Sequence, residues 1–200
     1  MTHSPRAPDA PPGASFASSL PEAYCLPPEV LADLRSDHAG ETGAVWIYHG
    51  ILCFARDPAL RDFALRHRAT EQEHLQRIAA WLSPAERSRL LPLWRLSGWL
   101  LGALPALVGP SAVYATVETV ERFVDRHYAE QIARLQAAPA LHALGQTLAD
   151  CRDDELTHRD EAAAARSADA PAGTPGALLR AWTWLVGAGS QAAVAVCRRL

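Results

Sequence analysis

The strongest constraint in this 200-residue chain is one motif used twice. Glu71 and His74 in TEQEHL, and Glu155 and His158 in DDELTH, each place a carboxylate and an imidazole three residues apart. On a helix that spacing brings both groups to one face. A single Glu-x-x-His carries little information, because charged residues commonly line solvated helix faces. The pair gains weight because each copy follows another glutamate at a similar distance: Glu41 precedes Glu71 by 30 residues and Glu121 precedes Glu155 by 34. Both of those glutamates have a tyrosine seven positions on, Tyr48 and Tyr128, two turns along the same helix face. Each tyrosine reads equally well as a core residue. The chain thus divides into two similar halves.

The surrounding sequence supports helices throughout. Beyond Pro28 it is rich in Ala, Leu, Arg and Glu, with apolar residues at helical spacing and no sustained period-two alternation, so the fold class is all-α. Breaks at Asp57-Pro58, Ser83-Pro84, Leu91-Pro92, Gly109-Pro110, Pro139 and the Gly/Pro cluster ending at Pro175 predict helices over roughly 29–56, 58–82, 110–137, 140–167 and 175–198. Asp57 and Ser83 are suitable N-caps. Seven of the 15 prolines fall in the first 28 residues, so residues 1–27 are expected to be a disordered tail and residues 28–200 a single domain.

Four helices supplying Glu, Glu-x-x-His, Glu and Glu-x-x-His are the ligand set of the ferritin-like carboxylate bundle. Glu41, Glu71, His74, Glu121, Glu155 and His158 are the candidate metal ligands. Four carboxylates bring a charge of about -4, which two divalent ions balance, and oxygen with imidazole donors suits iron or manganese. Asp37, four residues before Glu41, and Asp154, beside Glu155, are candidates to accept the free N–H of a ligating imidazole. Glu118 is a spare carboxylate or a solvated one. His38, His49, His67, His127 and His142 show no partner pattern and are assigned structural or surface roles.

With those residues identified, the segment LRSDHAGETGAVWIYHG (34–50) resembles the first-helix signature of the demethoxyubiquinone hydroxylase family. The likeness continues through EQEHL, LPLWRLSGWLLGALPALVG (91–109), VERFVDRHYAEQI (120–132) and RDDELTH, covering residues 31–200. Thr42 departs from it, standing where an aromatic residue is often found. The resemblance implies an O2-dependent di-iron monooxygenase of ubiquinone biosynthesis, inserting one oxygen atom into the ring of a polyprenyl quinone. Two iron ions per chain, NADH as reductant and other quinone-biosynthesis proteins as partners are implied with it. No Gly-rich dinucleotide fingerprint is present, so a built-in Rossmann site for NADH is not expected.

From Leu96 to Val117 run 22 residues without a charge, long enough to span a bilayer by length alone, but Pro105 and Gly109-Pro110 interrupt them. The expectation is an apolar interfacial hairpin at 91–108, with Trp94 and Trp99 at headgroup level, Arg95 reaching phosphate, and Trp99 and Leu100 at a quinone entrance. A second uncharged run, Ala181 to Cys197, is expected beside it. A core or oligomer-interface role for both runs is the competing view, and a homo-oligomer is among the expected partners. A net charge of -3 without a basic patch argues against nucleic acid. The four scattered cysteines fit a reducing compartment, and the N-terminus shows neither a secretory h-region nor an Arg-rich transit pattern. These readings together place a peripheral membrane protein on the cytoplasmic face of the inner (plasma) membrane.

Three alternatives share parts of this pattern. A quinone hydroxylase of different regiochemistry keeps every feature. A ferroxidase or rubrerythrin-like protein keeps the ligands but has no use for the apolar run. A quinone-binding partner with a vestigial metal site would not need all six ligands.

Overall fold

The computed structural model describes residues 26–169 and 176–199. Apart from its last two residues, the expected tail lies outside the described residues. Among the described residues there is no strand, and the all-α expectation holds. The described residues form six α-helices in order: α1 (Pro28–Phe54), α2 (Pro58–Ala79), α3 (Leu91–Val108), α4 (Pro110–Leu135), α5 (His142–Asp169) and α6 (Ala177–Cys197).

Local chemistry explains most of the boundaries. Proline opens α1, α2 and α4, where its missing N–H would have no intrahelical acceptor and its fixed φ suits the first turn. Asp57 caps α2, its carboxylate accepting from Leu60 N–H at 2.8 Å. Ser83 starts only a one-turn 3₁₀ helix, Pro84–Glu86, with its N–H donating to the Glu86 carboxylate at 2.8 Å. Gly109 separates α3 from α4 at φ 142°, ψ 175°, a conformation open essentially to glycine alone, which permits a one-residue connection.

Helices α1, α2, α4 and α5 form the bundle, with α1 packed on α2 and α4 on α5. Its core divides into two apolar layers. One gathers Ile47, Ile51, Phe63, Tyr114 and Val117; the other gathers Leu34, Ile78, Leu144, Leu148 and Cys151. The polar site lies in the bundle among the carboxylates of its four helices. Two further helices lie outside: α3 against α1 and α6 against α4.

The expected hairpin at 91–108 is instead one continuous helix containing Pro105. Pro105 stands close to the C-terminus, where the lost backbone bond interrupts little of the ladder. Glycines let the helix lie backbone to backbone against α1. A Cβ on Gly50 would come within 2.8 Å of Ala103 N, and one on Gly102 within 2.8 Å of Ile47 C and 2.9 Å of Ile51 N. Gly98 similarly lies against the backbone of Gly43. The two backbones therefore pack in direct contact, as at small-residue helix crossings. By length and composition α3 is also apolar enough to cross a membrane.

The far end of α6 is tied to the start of α1. Arg198 forms an ion pair with buried Asp33, which also receives Arg134 at 2.5 Å. Near its start, Trp182 donates its indole N–H to Thr116 at 2.8 Å. Between these ties α6 covers the α4 side of the bundle.

Candidate metal centre

The six sequence-selected ligand candidates converge inside the bundle. Glu41 comes from α1, Glu71 and His74 from α2, Glu121 from α4, and Glu155 and His158 from α5; all six are buried. Their donor atoms form two overlapping quartets, Glu41–Glu71–His74–Glu155 and Glu71–Glu121–Glu155–His158, each with its atoms within 4.8 Å of one another. Glu71 and Glu155 belong to both. Glu41 and His74 belong to the first alone, and Glu121 and His158 to the second alone.

Both imidazoles face the centre through Nδ1. His74 Nδ1 lies 3.1 Å from Glu155 Oε1, 3.6 Å from Glu71 Oε2 and 3.8 Å from Glu41 Oε2. His158 Nδ1 lies 3.1 Å from Glu71 Oε1 and 3.3 Å from Glu155 Oε2. On its other side, His74 Nε2 lies 3.0 Å from Asp154 Oδ2, which fixes the ring and directs Nδ1 inward.

The charge balance of this cluster is that of a cation site. Burial and the charges of neighbouring carboxylates, Glu71 for one and Glu155 for the other, raise Glu41 and Glu121 well above the usual carboxylate range. Burial would also raise Glu71, but His158 and His74 hold it well below that range. Against the effect of burial, Glu155 and Glu71 raise both imidazoles, His158 to about 9. Glu41 Oε2, both oxygens of Glu71, Glu155 Oε2 and His158 Nδ1 are buried without a hydrogen-bond partner. Orphaned acceptors grouped so closely are strongly unfavourable by themselves. A pair of divalent ions would satisfy them together, and the residues therefore fit such a pair.

Tyr128 donates its hydroxyl to Glu41 Oε1. Tyr48 is fully buried in the first apolar layer, where burial and the Glu121 charge raise its phenol. Asp37 does not meet a ligating imidazole. Its Oδ1 accepts from Gln131 Nε2 at 2.7 Å and pairs with His127 Nε2 at 3.0 Å. Glu118 turns away from the site and is held by Arg122 and by Arg166, the latter at 2.8 Å.

His67 is a neighbour that the sequence reading passed over. It is buried, its ring centre 4.1 Å from that of His158 and its Nε2 3.0 Å from Glu161 Oε2. Its position four residues before Glu71, on the same α2 face, was the available signal.

A cavity of about 430 Å³ reaches the carboxylates. Glu41, Glu71, Glu121, Glu155 and Tyr128 form its inner wall, while Leu100, Leu101 and Leu104 of α3 and Trp182, Leu185 and Val186 of α6 form its apolar side. Trp94 lines it too, with a buried indole N–H, so Trp94 faces inward rather than out to a headgroup layer. Trp99 packs edge-on against Phe54 with ring centres 6.0 Å apart. Thr42 does not line the cavity; its hydroxyl donates to His38 O at 2.8 Å. Leu93, Leu96, Leu100, Leu104 and Leu107 form an exposed stripe along α3, and Leu178, Trp184 and Leu185 are exposed on α6.

Residues 29–197 match the family model described as "Ubiquinone biosynthesis protein COQ7". The 3-demethoxyubiquinol 3-hydroxylase of Rhodospirillum rubrum is 37% identical over 150 residues, covering 72% of this chain and 70% of the relative. A rat protein named NADPH-dependent 3-demethoxyubiquinone 3-hydroxylase, mitochondrial, is 34% identical, over 83% of this chain and 76% of its own length. Its namesake from Caenorhabditis elegans is 30% identical, over 84% and 88% respectively.

Proposed function

The chain belongs to the ubiquinone biosynthesis protein COQ7 family, and from that premise we propose that it is a di-iron monooxygenase hydroxylating the ring of a demethoxyubiquinone-type polyprenyl quinone with O2. The observation that carries this reading is the junction of two features: a buried six-ligand carboxylate–imidazole centre forms one wall of a cavity whose other walls are apolar. A ferroxidase needs the first feature and has no use for the second.

In this reading Glu41, Glu71, His74, Glu121, Glu155 and His158 hold two iron ions, which when bound supply the redox chemistry of O2 activation. The protein's own work is placement. Glu71 and Glu155 belong to both donor quartets and would be shared between the two ions, Asp154 orients His74, and Tyr128 holds Glu41 by its hydroxyl hydrogen bond. The cavity admits a flat, oxygenated ring to the carboxylate wall and keeps bulk water from it, with Leu100, Leu104, Trp182 and Leu185 along the remainder.

The long prenyl tail of such a substrate favours a bilayer, and the exposed leucine stripe of α3 together with Trp184 and Leu185 of α6 offers an apolar surface beside the same cavity. We assign this surface to peripheral membrane docking, with the quinone entering between α3 and α6. The reductant is a reduced nicotinamide. NADH is the form implied by the sequence resemblance, and the names of the rat and nematode relatives specify NADPH.

Quinone extraction from a strain lacking the protein tests the reading. A demethoxyquinone is expected to accumulate, and reintroducing wild-type protein, but not Glu71→Ala, restores the mature quinone. An unchanged quinone pool refutes it.

A further inference from the structure

Two buried polar groups in the cavity wall have no task in holding metal and no partner for one of their oxygens. Asp37 and Ser36 line the cavity on α1, and both are buried. Asp37 Oδ1 is already occupied, accepting from Gln131 Nε2 and pairing with His127 Nε2. Its second oxygen, Oδ2, is buried with no hydrogen-bond partner, and so is Ser36 Oγ. Leaving a buried acceptor unsatisfied is unfavourable by about 1–3 kcal/mol, and here the unsatisfied atoms belong to residues that form the cavity wall.

We propose that Asp37, assisted by Ser36, is the subsite that reads the redox state of the ring: Asp37 Oδ2 accepts a hydrogen bond from a ring hydroxyl, so the hydroquinone binds in preference to the quinone. The proposal rests on the functional reading above and adds a specificity-determining residue to it. The chemistry is one of complementarity. A carboxylate offers only acceptors, a quinone carbonyl offers only lone pairs, and a hydroquinone hydroxyl offers a proton. The two ligands share one carbon frame, so a single acceptor-only oxygen distinguishes them.

The geometry puts this discrimination where it is useful. Asp37 precedes Glu41 by four residues on α1, so the two share a helix face one turn apart. A ring oxygen held at Asp37 therefore leaves the rest of the ring alongside the carboxylate wall of Glu41, Glu71, Glu121 and Glu155. Burial leaves the Asp37 carboxyl raised, against the contrary pull of His127 and Gln131; a hydroxyl donating to Oδ2 is the contact that would favour its ionised form. Ser36 Oγ both donates and accepts, and so holds a ring oxygen in either state without choosing between them.

The test is equilibrium binding of a short-tailed methoxy-methyl-benzoquinone and its hydroquinone to the full chain. Oxygen is excluded, and the carboxylate centre is filled with zinc so that neither form exchanges electrons with it. Wild type should bind the hydroquinone at least tenfold more tightly. In Asp37→Asn, Gln131 and His127 keep the amide oxygen on their side, so an N–H donor takes the place of Oδ2 and the order of affinities should reverse. Asp37→Ala should abolish the difference, and Ser36→Ala should weaken both ligands alike. Zinc content and far-ultraviolet dichroism identify any variant that has lost its fold, and the wild-type ratio stands independently of them. Equal wild-type affinities, or an unchanged ratio in both Asp37 variants, overturn the subsite and leave the hydroxylase reading intact. Binding of neither form to the wild type overturns both.

Discussion

Replacing Gly102 by alanine separates the cavity from the metal centre. An added Cβ would stand 2.8 Å from Ile47 C and 2.9 Å from Ile51 N, with the Ile47 carbonyl oxygen closer still. Carbon atoms rest at roughly 3.5–4.0 Å, so α3 has to move away from α1 by roughly 1 Å or more. Overpacking of this kind typically destabilises by about 1–3 kcal/mol, equivalent to a fall in Tm of roughly 2–12 °C at this size. The consequence for function follows from what α3 carries. It supplies Trp94, Ser97, Leu100, Leu101 and Leu104 to the cavity and none of the six candidate ligands. Iron content after reconstitution should therefore stay near that of wild type, while turnover of a short-tailed demethoxyquinone falls at least several-fold. Gly145→Ala on α5 is the control: its Cβ would find only Leu135 Cβ at 3.9 Å, and the gain in helix propensity should stabilise by up to about 1 kcal/mol. Scanning calorimetry, metal analysis and steady-state turnover read the three effects. Wild-type Tm and turnover in Gly102→Ala, or a loss of iron parallel to the loss of turnover, would refute the reasoning.

Three further outcomes follow. Glu71→Ala and Glu155→Ala, which remove members of both quartets, should abolish iron binding, whereas Glu41→Ala and Glu121→Ala each disturb one end and should leave about one iron; helical dichroism should persist in all four because the apolar layers are untouched. Leu96→Glu with Leu100→Glu puts two charges into the exposed α3 stripe, at roughly 2–3 kcal/mol each at bilayer depth and less at the interface, so sedimentation with liposomes should fall sharply and normal co-sedimentation would contradict membrane docking. Burial, Arg87 and Arg95 lower the His38 imidazole from 6.5 to about 4; a depressed histidine adds stability above pH 6.5 that is lost as pH falls towards 4. Urea unfolding of His38→Gln across that window should show a flatter acid slope than wild type, and identical slopes would remove His38 as the cause.

Much of the site was readable because its parts are local. Glu-x-x-His is a one-turn pattern, and the proline breaks and the Asp57 cap act within a few residues of themselves. What the sequence did not reveal depends on partners far along the chain. Gly98 and Gly102 stand four residues apart, a spacing suited to close helix crossings, but their partners Gly43, Ile47 and Gly50 lie on α1, about fifty residues back, and without that crossing Pro105 and the apolar run read as a hairpin. Asp37 sits at the right spacing from Glu41 to approach a ligating histidine, but α4 brings His127 and Gln131 to it instead. Glu118 has one arginine partner, Arg122, at the legible spacing of four, but the other, Arg166, lies 48 residues away. His67 shows no partner pattern in sequence because its link to Glu161 spans 94 residues.

The most direct measurement is the origin of the oxygen atom in the product. Iron-reconstituted wild-type protein, supplied with a short-tailed demethoxyhydroquinone and isotopically heavy O2 in ordinary water, should yield a hydroxylated ring carrying one heavy oxygen per product molecule, and Glu71→Ala should yield none. Product labelled from water instead, or a reconstituted protein that consumes O2 while leaving the ring unchanged, would contradict the assignment.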